Sequence, residues 1–517
     1  MAEQAPKGIA LLWKTEDWLA VWVGFIIIVA ILAGLTVKLP KFKWTTNGEF
    51  TQVIAGVNES KVLEKLNTAA VEKNETALQA DLASLKTAIA ANDRKAVGDA
   101  ARKMEETVKA VKDEGLKKKA GKLSKDLKTE AGNLLPKVFS GDNIMNAVYI
   151  AIGYLILSII ALALLGEKSG KIIAGFPAVF LIAWIGQLIA GNYTILNTYG
   201  IEYVLWCLFI GLFISNVIGL PEWLKPAVRT EFYIKSGLVV LGAGILFGEI
   251  LQAGFYGIAQ GVMVVMAVWY FTFWLCKKMQ VDEEFAVVLS SAVSICGVSA
   301  AIATGGAIQA DSKKISYTTS LVLICAIPMM ILQPIIAKWA GMSDIVAGAW
   351  LGGTLDTSGS VVAAGSLISD VAMKTGVIVK MSQNVLIGVA AFILSVVWTL
   401  RACKVGESKQ TPSAMEIWHR FPKFVLGFLV ASLVFSFIVD PKTVGETKGM
   451  LSGLRTWWFA LAFTSIGLET RFKDLATMGG GRPAAAFLSG QTFNVFWTLL
   501  LAWLIFGGVI FEIPNIK

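Results

Sequence analysis

The sequence predicts an all-α polytopic membrane protein with about thirteen transmembrane segments, inverted repeats, broken helices and one helical extramembrane insertion. Three observations carry that expectation. The 517 residues are 55% hydrophobic and 16% charged, with a mean hydropathy of +0.65, more apolar surface than one soluble core buries. Apolar runs long enough to cross a hydrocarbon core of about 30 Å recur along the chain, and its 17 Trp suit interfacial belts. Polar, glycine-broken stretches then lie inside such runs, the sharpest from Ala349 to Gly365. An unpaired N–H, C=O or carboxylate is costly in hydrocarbon, so breaks at that depth persist around a cavity, an ion or a ligand. That combination points to a transporter.

Residues 1–43 read as an N-terminal transmembrane anchor, because Trp18 to Val37 carries no charge and is longer than the apolar part of a signal peptide. Residues 44–140 form the insertion. Between Thr51 and Val138 there is no aromatic residue, Ala, Lys and Glu dominate, and heptad spacing is clear at Leu78, Leu82, Leu85 and Ile89, then at Val97, Ala101, Met104, Val108 and Val111. With breaks at Asn92-Asp93 and Gly115, two or three helices packed as a hairpin or small bundle are expected. A solvated spacer competes here with a module that binds a ligand or a protein partner, and low hydrophobicity would also suit a segment that folds on its partner. The Asn-x-Ser/Thr triplets at Asn58 and Asn74 are too common by chance to weigh.

Residues 141–517 hold the remaining spans and constitute the transmembrane transporter domain. A cytoplasmic N-terminus places the loops at 167–171, 220–235 and 401–423 inside, with Arg401, Lys404, Lys409, Arg420 and Lys423 among their cations. The same span count puts 44–140 outside the cytoplasm. The formal charge of +9 is spread over such loops, so topology rather than nucleic acid accounts for it. Five cysteines lie in or beside apolar segments and none in the insertion, which implies no disulfide framework. One histidine, His419, and the lack of HExxH or CxxC argue against a metal-dependent enzyme, and no Walker-type ending follows Gly305-Gly306 or Gly479-Gly480-Gly481. No metal site, cofactor or enzymatic activity is expected.

A repeat is also visible. Gly242-x4-Phe247-x-Glu249-Ile250-x3-Gly254 recurs as Gly467-x4-Phe472-x-Asp474-Leu475-x3-Gly479, 225 residues later. An odd number of spans separates the copies, so they run oppositely through the membrane, as in carriers built from inverted repeats. By the same count the segments around Cys296 and Asp356 run in one direction and do not pair as mirror-related halves. That leaves the repeated motif as the candidate for the crossing helices.

Four groups of residues resemble the YeiH-type family of bacterial inner-membrane proteins. They are Ser294-Ile295-Cys296-Gly297-Val298-Ser299-Ala300-Ala301-Ile302-Ala303-Thr304, Ser360-Val361-Val362-Ala363-Ala364-Gly365, Val379-Lys380-Met381 and Gly467-Leu468. The resemblance runs from about Phe209 to the last apolar helix. It implies a multi-span carrier, loosely similar to cation/proton antiporter and bile-acid-carrier folds, with sulfate or a related oxyanion as substrate. Carriers of this kind often dimerise, so a homodimer is expected by analogy. Where the family has His and an acid before its Val-Val-Ala-Ala-Gly, this chain has Asp356-Thr357; the family's Gln is Ser360, and its Arg is matched by Gln383. The insertion is a further departure, which makes the chain a divergent branch.

An oxyanion is held by free N–H groups at helix N-termini and by hydroxyls, because each helix end presents roughly +0.5 charge. Ser294, Cys296, Gly297 and Ser299 supply one such segment; Thr354, Thr357, Ser358, Gly359 and Ser360 supply another. Small and hydroxylated residues also simply pack membrane helices, and Cys296 reads as a small apolar residue rather than a nucleophile. Asp356 is the candidate for coupling to H⁺ or Na⁺, since a carboxylate at depth is costly while charged. A permanent ion pair with Lys380 is the competing structural reading. Lys380, Gln383 and Glu469 are expected to support the site, with Glu469 and Arg471 as a local pair. The sequence-level reading is therefore a secondary transporter of a small anion, sulfate or a sulfonate, working by alternating access in the cytoplasmic (inner) membrane. A receptor that uses the external helices, or an anion channel, is the alternative.

Overall fold

A computed structural model of the chain describes residues 12–59, 61–166, 169–199, 201–405, 415–471 and 481–516. These divide into two compact units: Met1–Val37, Ala151–Gly186 and Val204–Lys517 form one, and Lys38–Ile150 with Gln187–Tyr203 form the other. Helix α1 (Glu16–Leu32) belongs to the first unit. The reason is close packing. Gly24 faces Val239, and Lys235 reaches Asp17 at 2.9 Å and Glu16 at 3.2 Å.

The second unit is built of α2 (Asn47–Glu59), α3 (Val62–Glu72), α4 (Thr76–Ala90), α5 (Arg94–Val108), α6 (Glu114–Gly132) and the short α7 (Leu135–Val138), more helices than the heptads predicted. Every heptad residue named above is in its core. Asp93 caps α5, accepting from the N–H groups of Lys95 and Ala96, and Asp113 caps α6, so the break expected at Gly115 falls two residues earlier. Glu49 and Thr46 form a reciprocal capping box at the start of α2: the Thr46 N–H donates to Glu49 Oε2 at 2.7 Å and the Glu49 N–H to Thr46 Oγ1 at 3.2 Å. The Arg94 guanidinium ties the bundle together by donating to the backbone oxygens of Thr45, Glu130, Ala131 and Asn133 at 2.7–3.1 Å.

The remaining helices are α8 (Gly141–Leu164), α9 (Ser169–Ala190), α10 (Tyr203–Phe213), α11 (Thr230–Gly242), α12 (Phe247–Lys278), α13 (Glu283–Ser291), α14 (Gly297–Ala307), α15 (Ser312–Trp339), α16 (Asp344–Thr354), α17 (Ser358–Ser366), α18 (Asp370–Val405), α19 (Met415–Arg420), α20 (Lys423–Phe437), α21 (Pro441–Glu469) and α22 (Arg482–Phe506). With α1, these helices carry the apolar segments read from the sequence, except that the segments around Cys296 and Asp356 are each broken into two shorter helices. On α12, Leu251, Phe255, Ile258, Val262, Met266, Tyr270 and Trp274 recur at helical spacing and all point outward, a stripe suited to lipid. The first copy of the repeat forms the turn from α11 into α12, and α11 packs antiparallel on α21, with Gly237 against Phe459 and Thr230 against Glu469. Phe472, Asp474, Leu475 and Gly479 of the second copy lie outside the described residues.

Two segments depart from the expected topology. Residues 283–307 are long and apolar enough to cross a membrane, yet they fold back on themselves. A π-helical turn, Ala292–Cys296, extends α13; the chain then reverses at Gly297, and α14 returns beside α13, with Gly305 next to both Val288 and Ile315. Lys314, at the start of α15, pairs with Asp282 and Glu284, at the start of α13. The two ends of this hairpin therefore lie on one face, which is its mouth. The second hairpin is α16–α17, whose arms run oppositely along α18: Gly348 lies at Ala372 and Gly352 at Gly376 on one arm, while Ser358 lies at Asn384 and Gly365 at Met373 on the other. Because α15 leads from the mouth of one hairpin to the mouth of the other, the two enter from opposite faces. The expectation that the Cys296 and Asp356 segments run straight through in one direction is thus corrected. Packing against α18 holds each as a pair of half-length arms, 9 to 11 residues per helix.

Candidate functional site

The tips of the two hairpins meet. A Cβ added at Gly297 would lie 3.0 Å from Asp356 Cβ, 3.1 Å from Asp356 O and 2.3 Å from Val322 Cγ1, so glycine is required there by close approach. Gly353 is confined in the same way by Gln260 and Thr498. The correction of topology thus joins what the span count kept apart: Ser294, Cys296 and Gly297 on one tip and Thr354, Asp356, Thr357, Ser358, Gly359 and Ser360 on the other.

Each tip holds the negative end of one arm against the positive end of the next, and the two ends are treated differently. At the carbonyl end of the first hairpin, Val293 O accepts from Asn494 Nδ2 at 3.1 Å, Ser294 O from Gln383 Nε2 at 2.9 Å and Ile295 O from Lys380 Nζ at 2.7 Å. At that of the second, Thr354 O accepts from Gln491 Nε2 at 2.9 Å. Side chains of α18 and α22 therefore neutralise the carbonyl ends. The opposing ends are the N-termini of α14 and α17, whose first N–H groups have no intrahelical acceptor and carry partial positive charge. Thr357 Oγ1 caps one of them, accepting from Ser360 N at 3.1 Å, and lies 2.7 Å from Ser360 Oγ.

Asp356 sits between these ends. It is 2% exposed, between the extended residues Leu355 and Thr357 that connect α16 to α17, and its Oδ2 is buried without a hydrogen-bond partner among the described residues. Lys380, also buried, spends its ammonium on Ile295 O and on Gln383 Oε1 at 3.0 Å. Four amides around the second tip bond through one end and leave one buried atom at the other unmatched. Gln260 donates to Ala349 O, Gln333 accepts from Thr354 Oγ1, Asn384 donates to Ser358 Oγ and Gln491 donates to Thr354 O; Gln260 Oε1, Gln333 Nε2, Asn384 Oδ1 and Gln491 Oε1 have no partner among the described residues. Each such atom costs about 1–3 kcal/mol if nothing meets it.

Of the residues singled out from sequence, Ser294 turns its hydroxyl to Ser290 O at 2.7 Å, Cys296 is buried at the reversal, and Ser299 is exposed one turn into α14. Thr357 and Ser358 are half-buried, and Gly359 packs on Ile234 and Ile466. Glu469 is not at the tips; it closes α21 and accepts from Thr230 Oγ1 at 2.9 Å. Sequence reading missed Gln260, Gln333, Asn384, Gln491 and Asn494. A signal was present in each case, an amide inside an apolar run, as in Met330-Ile331-Leu332-Gln333-Pro334. Among the described residues, no group of His, Cys, Asp and Glu is arranged to hold a metal ion.

Comparison with known proteins gives a consistent set of relatives. The family described as Conserved hypothetical protein 698 matches residues 174–486. A UPF0324 membrane protein of Rhodopirellula baltica is 39% identical over 350 residues, 66% of this chain and 64% of that protein. Two UPF0324 membrane proteins of Nitratidesulfovibrio vulgaris are 40% identical over 360 residues and 39% identical over 398, covering 67% and 74% of this chain and 62% and 66% of their own lengths. The chain thus spans a little under two thirds of the length of these curated relatives. No solved structure matches it.

Proposed function

This chain belongs to the Conserved hypothetical protein 698 family, the YeiH/UPF0324 family of bacterial membrane proteins, and on that premise we propose that it is a secondary active transporter of a small anion. The observation that carries the reading is the meeting of two oppositely inserted hairpins around Asp356. Two helix N-termini and the hydroxyls of Ser299, Thr357 and Ser358 offer donors to sulfate or a sulfonate. The unmatched amides and Asp356 Oδ2 are the groups that a substrate, H⁺ or Na⁺ would satisfy. A hairpin entering from each face also gives alternating access its physical basis, since either tip can give way toward its own side while the other stays closed.

A negative Asp356 repels an anion, so the loaded state has Asp356 protonated or bridged to the substrate by a cation. That makes it the coupling residue, with Lys380 and Gln383 holding the first tip in place. The protein acts as a carrier in the cytoplasmic (inner) membrane rather than as an enzyme, needs no cofactor beyond its coupling ion, and works as a homodimer. Lysine-rich loops face the cytoplasm, and the insertion at 44–140 lies outside.

The test is sulfate and sulfonate flux in proteoliposomes with imposed pH and Na⁺ gradients. Wild type should accumulate the anion under one gradient, and Asp356→Asn at matched insertion should lose gradient-driven flux by about tenfold or more. Equal flux in the variant would reduce Asp356 to a structural role. Flux without any gradient dependence would mark a channel, and no flux of any anion would favour a receptor that uses the external helices.

A further inference from the structure

The helical second unit contains a cavity that the transport reading does not use. It measures about 560 Å³ and is lined by the segment leading into α2, by α5 and α6, and by the turn into α8. Its charged lining is five cations, Lys41, Lys43, Arg102, Lys128 and Lys137, against one carboxylate, Asp142. Arg102 is matched by Asp99 at 3.2 Å and Lys128 by Glu105 at 2.6 Å, both outside the lining. Lys41, Lys43 and Lys137 form no ion pair among the described residues.

The arrangement is fixed by buried Asn143. Its Nδ2 donates to Lys41 O at 3.0 Å and to Val138 O at 2.9 Å, while its Oδ1 accepts from Lys41 N at 2.7 Å. Two of these bonds pin the backbone that carries Lys41 and Lys43 to the first turn of α8, and the third ties in the end of α7. That turn, Ser140 to Asn143, is the positive end of a 24-residue helix and forms one wall of the cavity. Hydroxyl and amide groups of Thr129, Ser140 and Asn146 complete the lining. Like charges held around one space repel, and a multiply charged oxyanion relieves that repulsion while accepting from ammonium and amide donors.

We propose that this cavity binds a phosphate- or sulfate-type oxyanion, held chiefly by Lys41, Lys43 and Lys137. The oxyanion has two available sources. Exposed Ile144, Met145 and Val148 follow the cavity directly along α8, so lipid headgroups would stand at its level, and free anions reach it from solution. The lysines are solvated, so binding is moderate and falls as salt is raised.

The test uses the full chain purified in neutral detergent and in nanodiscs. Sulfate and phosphate are titrated calorimetrically, and retention of phosphatidylglycerol against phosphatidylcholine is read by native mass spectrometry. In the triple variant Lys41→Gln/Lys43→Gln/Lys137→Gln, anion affinity or phosphatidylglycerol retention should fall about tenfold or more with helix content unchanged. Lys86→Gln, an exposed lysine of the same unit outside the lining, should leave both intact, which separates this site from the general surface charge of the helices. Loss confined to the free anion assigns a solute ligand, and loss confined to phosphatidylglycerol assigns a headgroup. If wild type and triple variant behave alike in both arms, the proposal is overturned.

Discussion

At Glu49 one carboxylate serves two tasks. It closes the capping box of α2 and also accepts from Asn192 Nδ2 and from the N–H and hydroxyl of Thr194. Partial burial pushes its pKa up, but the bonds from Thr194, Thr46 and Asn192 outweigh that and bring it from 4.5 down to about 2. The stabilisation is therefore full above the ordinary value of 4.5 and is lost as pH falls toward 2. Glu49→Gln should melt a few degrees below wild type at neutral pH, with the gap closing in acid; a constant gap would show that the charge is not the cause. The Thr46-x-x-Glu49 spacing was legible in the sequence as a cap. Its bonds to residues nearly 150 positions away were not, because only folding brings them near.

Among the elements, the hairpin tips form a close-packed joint. Small residues crowd the reversal at Gly297, where a methyl group would meet Val322 and Asp356 at once. Gly297→Ala should cost about 1–3 kcal/mol of stability through overpacking and should reduce any transport activity more than Gly248→Ala, which meets nothing within 4 Å. Thermal melting in detergent and flux at matched insertion would separate the two effects. Loss of both in equal measure by the Gly248 variant would remove the special role of the tip. The sequence exposed the breaks themselves, since Gly, Ser and Asp inside an apolar run admit few other readings. It did not reveal that each break is a reversal, because a straight-through broken helix and a re-entrant hairpin share one composition and one length.

For the whole molecule, hairpins change which loops share a face. Were both segments crossings, the loops at 279–282 and 308–311 would lie on opposite sides. As hairpin mouths they lie together, which also gathers Lys277, Lys278, Lys313 and Lys314 on one face, as loop-charge asymmetry favours. In a cysteine-free background, Gln280→Cys and Gln309→Cys should react with an impermeant thiol reagent from the same side, and Met342→Cys from the other. Labelling of Gln280→Cys and Gln309→Cys from opposite sides would restore the crossing topology. By itself the sequence determined the all-α membrane class, the helical insertion with its heptad core, the family and the position of both polar breaks. These follow from hydropathy and local spacing, which are properties of short windows of chain. Only the tertiary structure decided that the breaks are opposed hairpins, that Gly297 and Asp356 touch, and that Gln333, Gln491 and Asn494 attend them. Such contacts join residues tens to hundreds of positions apart, and they depend on how helices pack around α18, which no local pattern encodes.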